Sequence, residues 1–372
     1  MIKEWFDKRL LNENARIFGI FLIHQLIVLG SGYLAKAVSS PQIQHQGFWE
    51  TVLNNLSHWD GRWYLRIASE GYTLKSTAFF PLYPMMIRLL GCVGIPPEWS
   101  GIVISNLCFL IACFLFYRLL KDDTDEETAA RAVWYMAVFP TAFFFSAVYS
   151  ESLYLALVLG AFYFARRAQW PVCALMGILA SSTRNTGLLL VIPLSIIYLR
   201  AKDYNIRKLR PDILYLALIP IGLAAYMVFL WKTFHNPLVF VAAQQFWNRS
   251  FSPPWTNIFL TWRNINSNYF MARNLIDLCF TAIALVLTLM GAKRLRIEYL
   301  AYLILGMLVP LFSKAPQAGL YSMPRFLLVL FPLYIIMSGL FKREFAHTFI
   351  ICISSGFLAA LTIMFAFGSF VA

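Results

Sequence analysis

The chain has 372 residues, of which 60% are hydrophobic, 17% aromatic and 13% charged, and it carries a net charge of +13. A mean hydropathy of +0.65 excludes an ordinary soluble globular domain and predicts an all-α polytopic membrane protein. The basic excess needs no nucleic acid, because lysines and arginines in cytoplasmic loops face anionic lipid.

Residues 1–16 carry charges of both signs, and the apolar run 15–37 has full membrane length. It is expected to be a first span that serves as its own insertion signal rather than a cleaved leader. Apolar runs recur at 100–120, 129–148, 152–165, 171–199, 212–231, 275–291, 299–312, 326–341 and 348–371. Segment 171–199 is too long for one ordinary span and holds Arg184 and Asn185 near its middle, which predicts two short helices meeting there. About eleven transmembrane helices result.

Segment 79–94 is apolar but interrupted by Pro81, Pro84 and Arg88. If it does not cross, the N-terminus is cytoplasmic and roughly 19 of the 31 basic residues fall in short inner loops, as the positive-inside rule requires. It is therefore expected to be a re-entrant or interfacial segment. The same parity makes residues 1–372 a single integral membrane domain with two large extracytoplasmic loops, 38–99 with interfacial helices and 234–273.

The first of these loops reads HWDGRWYLRIASEGYTLKSTAFFPLYP from His58 to Pro84. Asp60, among aromatics at a membrane surface, either caps a short helix over 61–69 closed by Gly71 or carries chemistry. At the next outer turn, Ser150 is a natural N-cap with Glu151 favoured by the helix dipole. A guanidinium at the depth of Arg184 must be paired, either with a phosphate through two parallel hydrogen bonds or internally with Glu151. Arg325, in YSMPRFLLVLFPLY, offers a second phosphate ligand or a plain interfacial anchor, and Lys314 lies in the same outer loop.

On the opposite face, Asp123-Thr124-Asp125 has the form of a metal-holding D-x-D. Thr124 with Glu127 instead predicts a capping box for the helix starting near Ala129. The six cysteines are scattered, so neither a disulfide framework nor a structural zinc is expected. No phosphate-binding P-loop, His-Glu-x-x-His or Gly-x-Ser-x-Gly occurs, which removes the commoner ATPase, metalloprotease and serine-hydrolase readings.

WDGRWYLRIASEGY with AFFPLYP, then FPTAFFFSAVYSESLYLAL, then GILASSTRNTGLLLV, then SMPRFLLVLFPLY occur in an order that resembles the PIG-V family of GPI mannosyltransferases and its prokaryotic relatives. The shared positions are Trp59, Asp60, Gly71, Tyr72, Phe79, Phe80, Pro81, Tyr149, Ser150, Glu151, Arg184, Asn185 and Gly187. The likeness covers the first half of the chain and thins after Leu199. The run from Asn236 to Trp255 is similar to outer loops of the bacterial relatives.

The resemblance implies a GT-C-type glycosyltransferase fold. It also implies transfer, with inversion, of mannose from a polyprenyl-phosphate carrier to a glycolipid, lipid-linked or glycan acceptor at the extracytoplasmic face. In that group an acidic residue of the first outer loop is the general base, which falls on Asp60. Arg184, Arg325 and Asn185 are then expected at the donor phosphate. His58, Trp59, Trp63, Tyr72, Tyr149, Glu151, Gln245 and Trp247 are expected at the substrates, with Tyr64, Gln244 and Arg249 as further contacts; Trp59, Trp63, Tyr64 and Tyr72 either stack on sugar rings or hold the loop at the interface. The scheme requires no cofactor, since the lipid phosphate is itself a good leaving group, and Glu151 leaves room for a divalent cation. The compact chain, without a retention signal at Phe370-Val371-Ala372, is expected in a prokaryotic plasma membrane. Two alternatives stand beside this reading: a related transferase of another sugar, and a lipid-carrier transporter or flippase. Against the transporter, the polar groups gather at one face, and no matching Gly/Pro-interrupted pair marks the two halves.

Overall fold

The computed structural model describes residues 2–39, 47–265, 271–315 and 319–371. They are helical almost throughout. The strands among the described residues are β1 (Ser250–Phe251) and β2 (Ser313–Lys314), paired antiparallel with Ser250 opposite Lys314. The helices are α1 (Ile2–Ser39), α2 (Phe48–Leu56), α3 (Asp60–Glu70), α4 (Leu82–Gly91), α5 (Pro97–Lys121), α6 (Glu126–Ala137), α7 (Glu151–Arg166), α8 (Trp170–Thr183) and α9 (Val191–Arg200). They continue with α10 (Ile221–Phe234), α11 (Val239–Ala242), α12 (Pro254–Arg263), α13 (Met271–Gly291), α14 (Ile297–Leu311), α15 (Met323–Leu328), α16 (Pro332–Leu340) and α17 (Glu344–Ala366).

Among the described residues, four helical segments are long and apolar enough to cross a membrane: Leu11–Ala35 within α1, α5, α13 and α17. Pro211–Leu218 and α10, bent by 40°, make a fifth. The other apolar stretches fold as shorter helices. Residues 129–148, expected as one span, are instead α6 followed by a 3-10 turn at Ala142–Phe145. Pro140 explains the stop, since it cannot donate into the ladder and its ring clashes with the preceding turn. The polar groups freed there are met by His24, whose ring nitrogens lie 2.7 Å from the Ala137 carbonyl and 3.0 Å from the Ser146 hydroxyl.

The centre of the molecule is α7, packed between α5 and α8. Every side chain from Glu151 to Phe162 is buried, as befits a helix that is apolar nearly all round. At ten residues, α4 rises about 15 Å, roughly half a bilayer core. It lies against α5, with the Tyr83 hydroxyl donating to the Gly101 carbonyl at 3.0 Å.

On the D-x-D stretch the expected cap shifts by one residue. Asp125 caps α6, its carboxylate accepting the Thr128 amide at 2.8 Å and the Thr128 hydroxyl at 2.7 Å. Those bonds hold the Asp125 carboxyl below its ordinary pKa. Glu127 pairs with Arg16 at 2.7 Å instead of closing a box, and Asp123 takes Arg166 and Arg296.

Segment 171–199 breaks at Arg184, as expected. Ser181, Ser182 and Thr183 turn their hydroxyls back on Ile178, Ile178 and Leu179 carbonyls at 2.9, 3.0 and 2.8 Å, which weakens the end of α8. Arg184 is extended, at φ −152° and ψ 146°, and a 3-10 turn over Asn185–Leu190 follows. That turn folds tightly onto α8, where a Cβ on Gly187 would lie 2.4 Å from the Ala180 carbonyl carbon and oxygen. These are backbone atoms and cannot yield. Gly187→Ala is expected to destabilise the fold by roughly 1–3 kcal/mol, seen as a lower melting temperature in detergent; an unchanged melting temperature would contradict so close an approach.

Candidate active site

The approach to Asp60 is a strained turn. Trp59 has φ 54° and ψ −113°, a conformation that a tryptophan adopts only when its surroundings impose it. The His58 carbonyl is fixed from two sides, by the Gly61 amide at 3.0 Å and the Tyr149 hydroxyl at 3.1 Å. The start of α3 also docks closely, since a Cβ on Gly61 would meet the Val148 carbonyl oxygen at 3.3 Å. No side chain caps this helix, so Asp60 is not spent on capping. Its Oδ2 accepts from Arg325 Nη1, and its Oδ1 makes no hydrogen bond to a described residue.

Behind this pair lies Glu151, with a fully buried side chain. Its Oε1 accepts from Arg184 Nη1 at 2.9 Å and from Arg325 Nε at 2.5 Å. Asp60, Arg325, Glu151 and Arg184 thus form one chain of alternating charge across α3, α15, α7 and the break after α8. The internal pairing of Arg184 with Glu151 is therefore present. Arg325 also stacks its guanidinium over Tyr149, 4.7 Å from the ring centre. Ser150, expected as an N-cap, makes no side-chain cap; its hydroxyl lies 3.0 Å from the Tyr64 hydroxyl. Burial pushes the Tyr64 phenol up to about 12, with Glu151 adding to the rise, so Tyr64 remains protonated and is not a base.

Asp60 opens on a cavity of about 600 Å³ that is also lined by Trp59, Trp63, Arg184, Asn185, Trp247 and Arg325. One wall is aromatic: Trp63 stacks on Phe79 with centroids 6.1 Å apart and meets Trp247 edge-on at 5.4 Å. Of the other residues expected at the substrates, Glu151 and Tyr149 stand behind the wall. Tyr72 braces it, donating to the Phe79 carbonyl at 3.0 Å. His58 faces a neighbouring groove with Arg62 and Arg66. Gln244 rather than Gln245 lies on the cavity face, because Ala243–Trp247 is a 3-10 turn in which residues three apart eclipse, aligning Gln244 with Trp247.

Two cavity-lining polar atoms, Trp247 Nε1 and Ser322 Oγ, are buried without a hydrogen-bond partner among the described residues. Such atoms in a cavity are natural contacts for a polar ligand. The same cavity contains Arg249, Arg273, Tyr321 and Phe370; of these, only Arg249 stood out in the sequence. Arg273 ends a long connection where neither periodicity nor a motif marks it, and Tyr321 opens the run YSMPRFLLVLFPLY, in which Arg325 was the residue singled out. Burial pushes the Arg249 pKa down, with Asp60 opposing the shift. Among the described residues no three histidine, cysteine, aspartate or glutamate side chains converge as a metal site.

Such a cavity, with one carboxylate, several guanidiniums and aromatic walls, can bind an anionic, sugar-bearing ligand and remove a proton beside it. Comparison with known proteins gives this geometry a family. GPI mannosyltransferase 2 of Drosophila pseudoobscura pseudoobscura is 34% identical over 120 residues, which cover 28% of this chain and 26% of the relative. Human GPI alpha-1,6-mannosyltransferase 2 is 29% identical over 175 residues, 42% of this chain and 35% of the relative. GPI mannosyltransferase 2 of Schizosaccharomyces pombe is 22% identical over 263 residues, 64% of this chain and 56% of the relative. The matched stretches thus span from about a quarter to a little over half of these relatives' lengths. Residues 20–290 match the family described as mannosyltransferase (PIG-V), and the chain belongs to that family.

Proposed function

We propose that the protein transfers mannose from a polyprenyl-phosphate-linked donor to a hydroxyl of a glycolipid or glycan acceptor, with Asp60 as general base. The observation that carries this reading is the position of the Asp60 carboxylate. It stands on the cavity wall with Oδ1 uncommitted, among four lining arginines.

In the reaction, Asp60 accepts the acceptor hydroxyl proton as that oxygen attacks the anomeric carbon. The bond from that carbon to the phosphate oxygen breaks, and its electron pair leaves with the polyprenyl phosphate. Attack opposite the leaving group inverts the anomeric configuration. The arginine-rich wall opposes the negative charge gathering on the phosphate, as preorganised donors in a water-poor site do. Trp247 Nε1 and Ser322 Oγ suit sugar hydroxyls, and Trp63 offers a flat face to a pyranose ring.

The cavity takes its residues from 59–80, 183–185, 240–249, 309–326 and Phe370. These are largely the segments that the positive-inside rule puts outside, which supports an extracytoplasmic site and a cytoplasmic N-terminus. The shorter helices are then completed across the membrane by their broken neighbours, giving about eleven crossings in a GT-C-type arrangement.

Purified protein given a panel of labelled polyprenyl-phosphate sugars should transfer mannose in preference to glucose, arabinose or galactose. Preferred transfer of another sugar would reassign the donor. Movement of the carrier across liposomes with no transfer would make the protein a transporter. Asp60→Asn is expected to lower turnover by about 10²–10⁴-fold in a folded protein that still binds donor, and near-normal turnover would remove Asp60 as the base. Glu151→Gln leaves two guanidiniums around a neutral side chain, so a loss of about 3–5 kcal/mol of stability is expected. A variant that melts and turns over like the parent would show that the buried clamp is dispensable.

A further inference from the structure

Arg325 reaches Glu151 and Asp60 from a helix too short to hold its own position. At six residues, α15 is far below the length at which a helix is stable by itself, so its register has to be imposed from outside. Its start is also unfavourable. Ser322 stands in the left-handed region, at φ 60° and ψ 29°, and its side chain does not cap the helix.

The backbone donors of the first turn can be accounted for one by one. The Arg325 and Phe326 amides both turn back to the Ser322 carbonyl, at 3.1 and 3.2 Å, and Pro324 has no N–H to place. That leaves the amide of Met323, a fully buried residue. It donates to Asp277 Oδ1 of α13 at 2.7 Å, so the cap that Ser322 does not supply comes from a residue 46 positions away. The Thr141 hydroxyl, in addition, donates to the Pro324 carbonyl at 3.2 Å. The chain is thus clamped at the two residues that precede Arg325.

Asp277 is the only charged residue between Arg273 and Lys293, within a helix long and apolar enough to cross a membrane. A charge in that place needs a reason. Asp277 is 1% exposed and does not line the cavity, so it meets no substrate there. Arg273 and Arg249 act on it electrostatically, and charge balance is the plainer reason for its presence. Balance alone, however, does not require an oxygen seated on the Met323 amide.

We propose that Asp277 is a positioning residue for the transfer reaction. By capping α15 from α13 it sets the register of Arg325, and through the Arg325 guanidinium the aim of the Asp60 carboxylate. The inference rests on the reading of Asp60 as base, to which it adds the residue that fixes the base's partner.

The test follows mannosyl transfer and melting temperature for the full-length protein in detergent. Asp277→Leu keeps the volume and removes the cap; it is expected to lower kcat about 10- to 100-fold, the scale of a small misplacement near the chemistry, with KM within about twofold of the wild type. Two variants then separate cap from charge. Asp277→Asn keeps an oxygen for the Met323 amide without the charge, and kcat should stay within about threefold of the wild type. Asp277→Glu keeps the charge but carries it one methylene further, and should lose activity as the leucine variant does. Should the leucine variant not fold, the asparagine and glutamate pair carries the reading. In an Arg325→Gln background the cost of Asp277→Leu should shrink to less than about threefold, because residues that act through one another are not additive.

An active glutamate variant beside a crippled asparagine variant would make Asp277 a counter-charge and overturn the assignment. So would a leucine variant with wild-type kcat, or one whose loss is undiminished when Arg325 is already gone. If the wild type transfers no sugar, the transferase reading fails while this one is still read, from the melting temperatures: less than additive losses for Asp277→Leu and Arg325→Gln would uphold it, and additive losses would end it.

Discussion

A carboxylate with no exposure to solvent, at the first turn of the central helix α7, sets the constraint around which the site is arranged. Glu151 cannot stay charged there without partners, because burying an unpaired carboxylate costs more than a fold of this kind can spare. Its partners come from far along the chain, Arg184 after α8 and Arg325 in α15. The break in one helix and the shortness of the other are what bring guanidiniums to it. Arg325 then has a second edge to offer, and Asp60 takes it. The orientation of the proposed base is thus a consequence of how a buried charge on α7 is compensated.

Local backbone features serve the same arrangement. Pro140 stops α6 early, so that the chain from Thr141 to Ser150 is irregular and can place Tyr149 beneath the turn at His58. The unfavourable dihedrals of Trp59 are held by that hydroxyl and by the close seating of Gly61 on Val148. Strain of this kind persists only where the surroundings over-determine it. Here it aims Asp60 towards Arg325 instead of leaving it at the cap, where its position in the sequence would equally well have put it.

Much of this was legible in the residues, for reasons that differ from one element to the next. Composition is decisive for an all-helical membrane protein because few other structures bury so much apolar surface. Arg184 in the middle of segment 171–199 is a strong signal, since a charge at that depth is intolerable in a continuous span. Pro140 was equally visible, but a run of apolar residues on both sides masked the stop. Thr124 and Asp125 are adjacent cap formers separated only by geometry that the sequence does not contain. Gln244 and Gln245 could not be told apart without knowing that the turn has three residues per repeat. Arg273 and Tyr321 were passed over for a deeper reason: their meaning arises from a contact between segments almost fifty residues apart, which the run beginning at Tyr321 does not encode.

That blind spot bears on how arginines in such a site are read. A sequence shows only that a cation is present at a given depth, and the natural inference is that each one awaits the substrate's phosphate. Ion pairing divides them. A guanidinium already shared between two carboxylates has little net charge to give to a ground-state ligand, though its fixed dipoles still oppose charge that develops in the transition state. Arg249, which lies over the rings of Tyr321 and Phe326 and has no ion pair among the described residues, keeps its charge available for binding. Separating anchoring from transition-state stabilisation in this way would let one cavity hold a lipid phosphate firmly without neutralising the groups that act when the sugar departs.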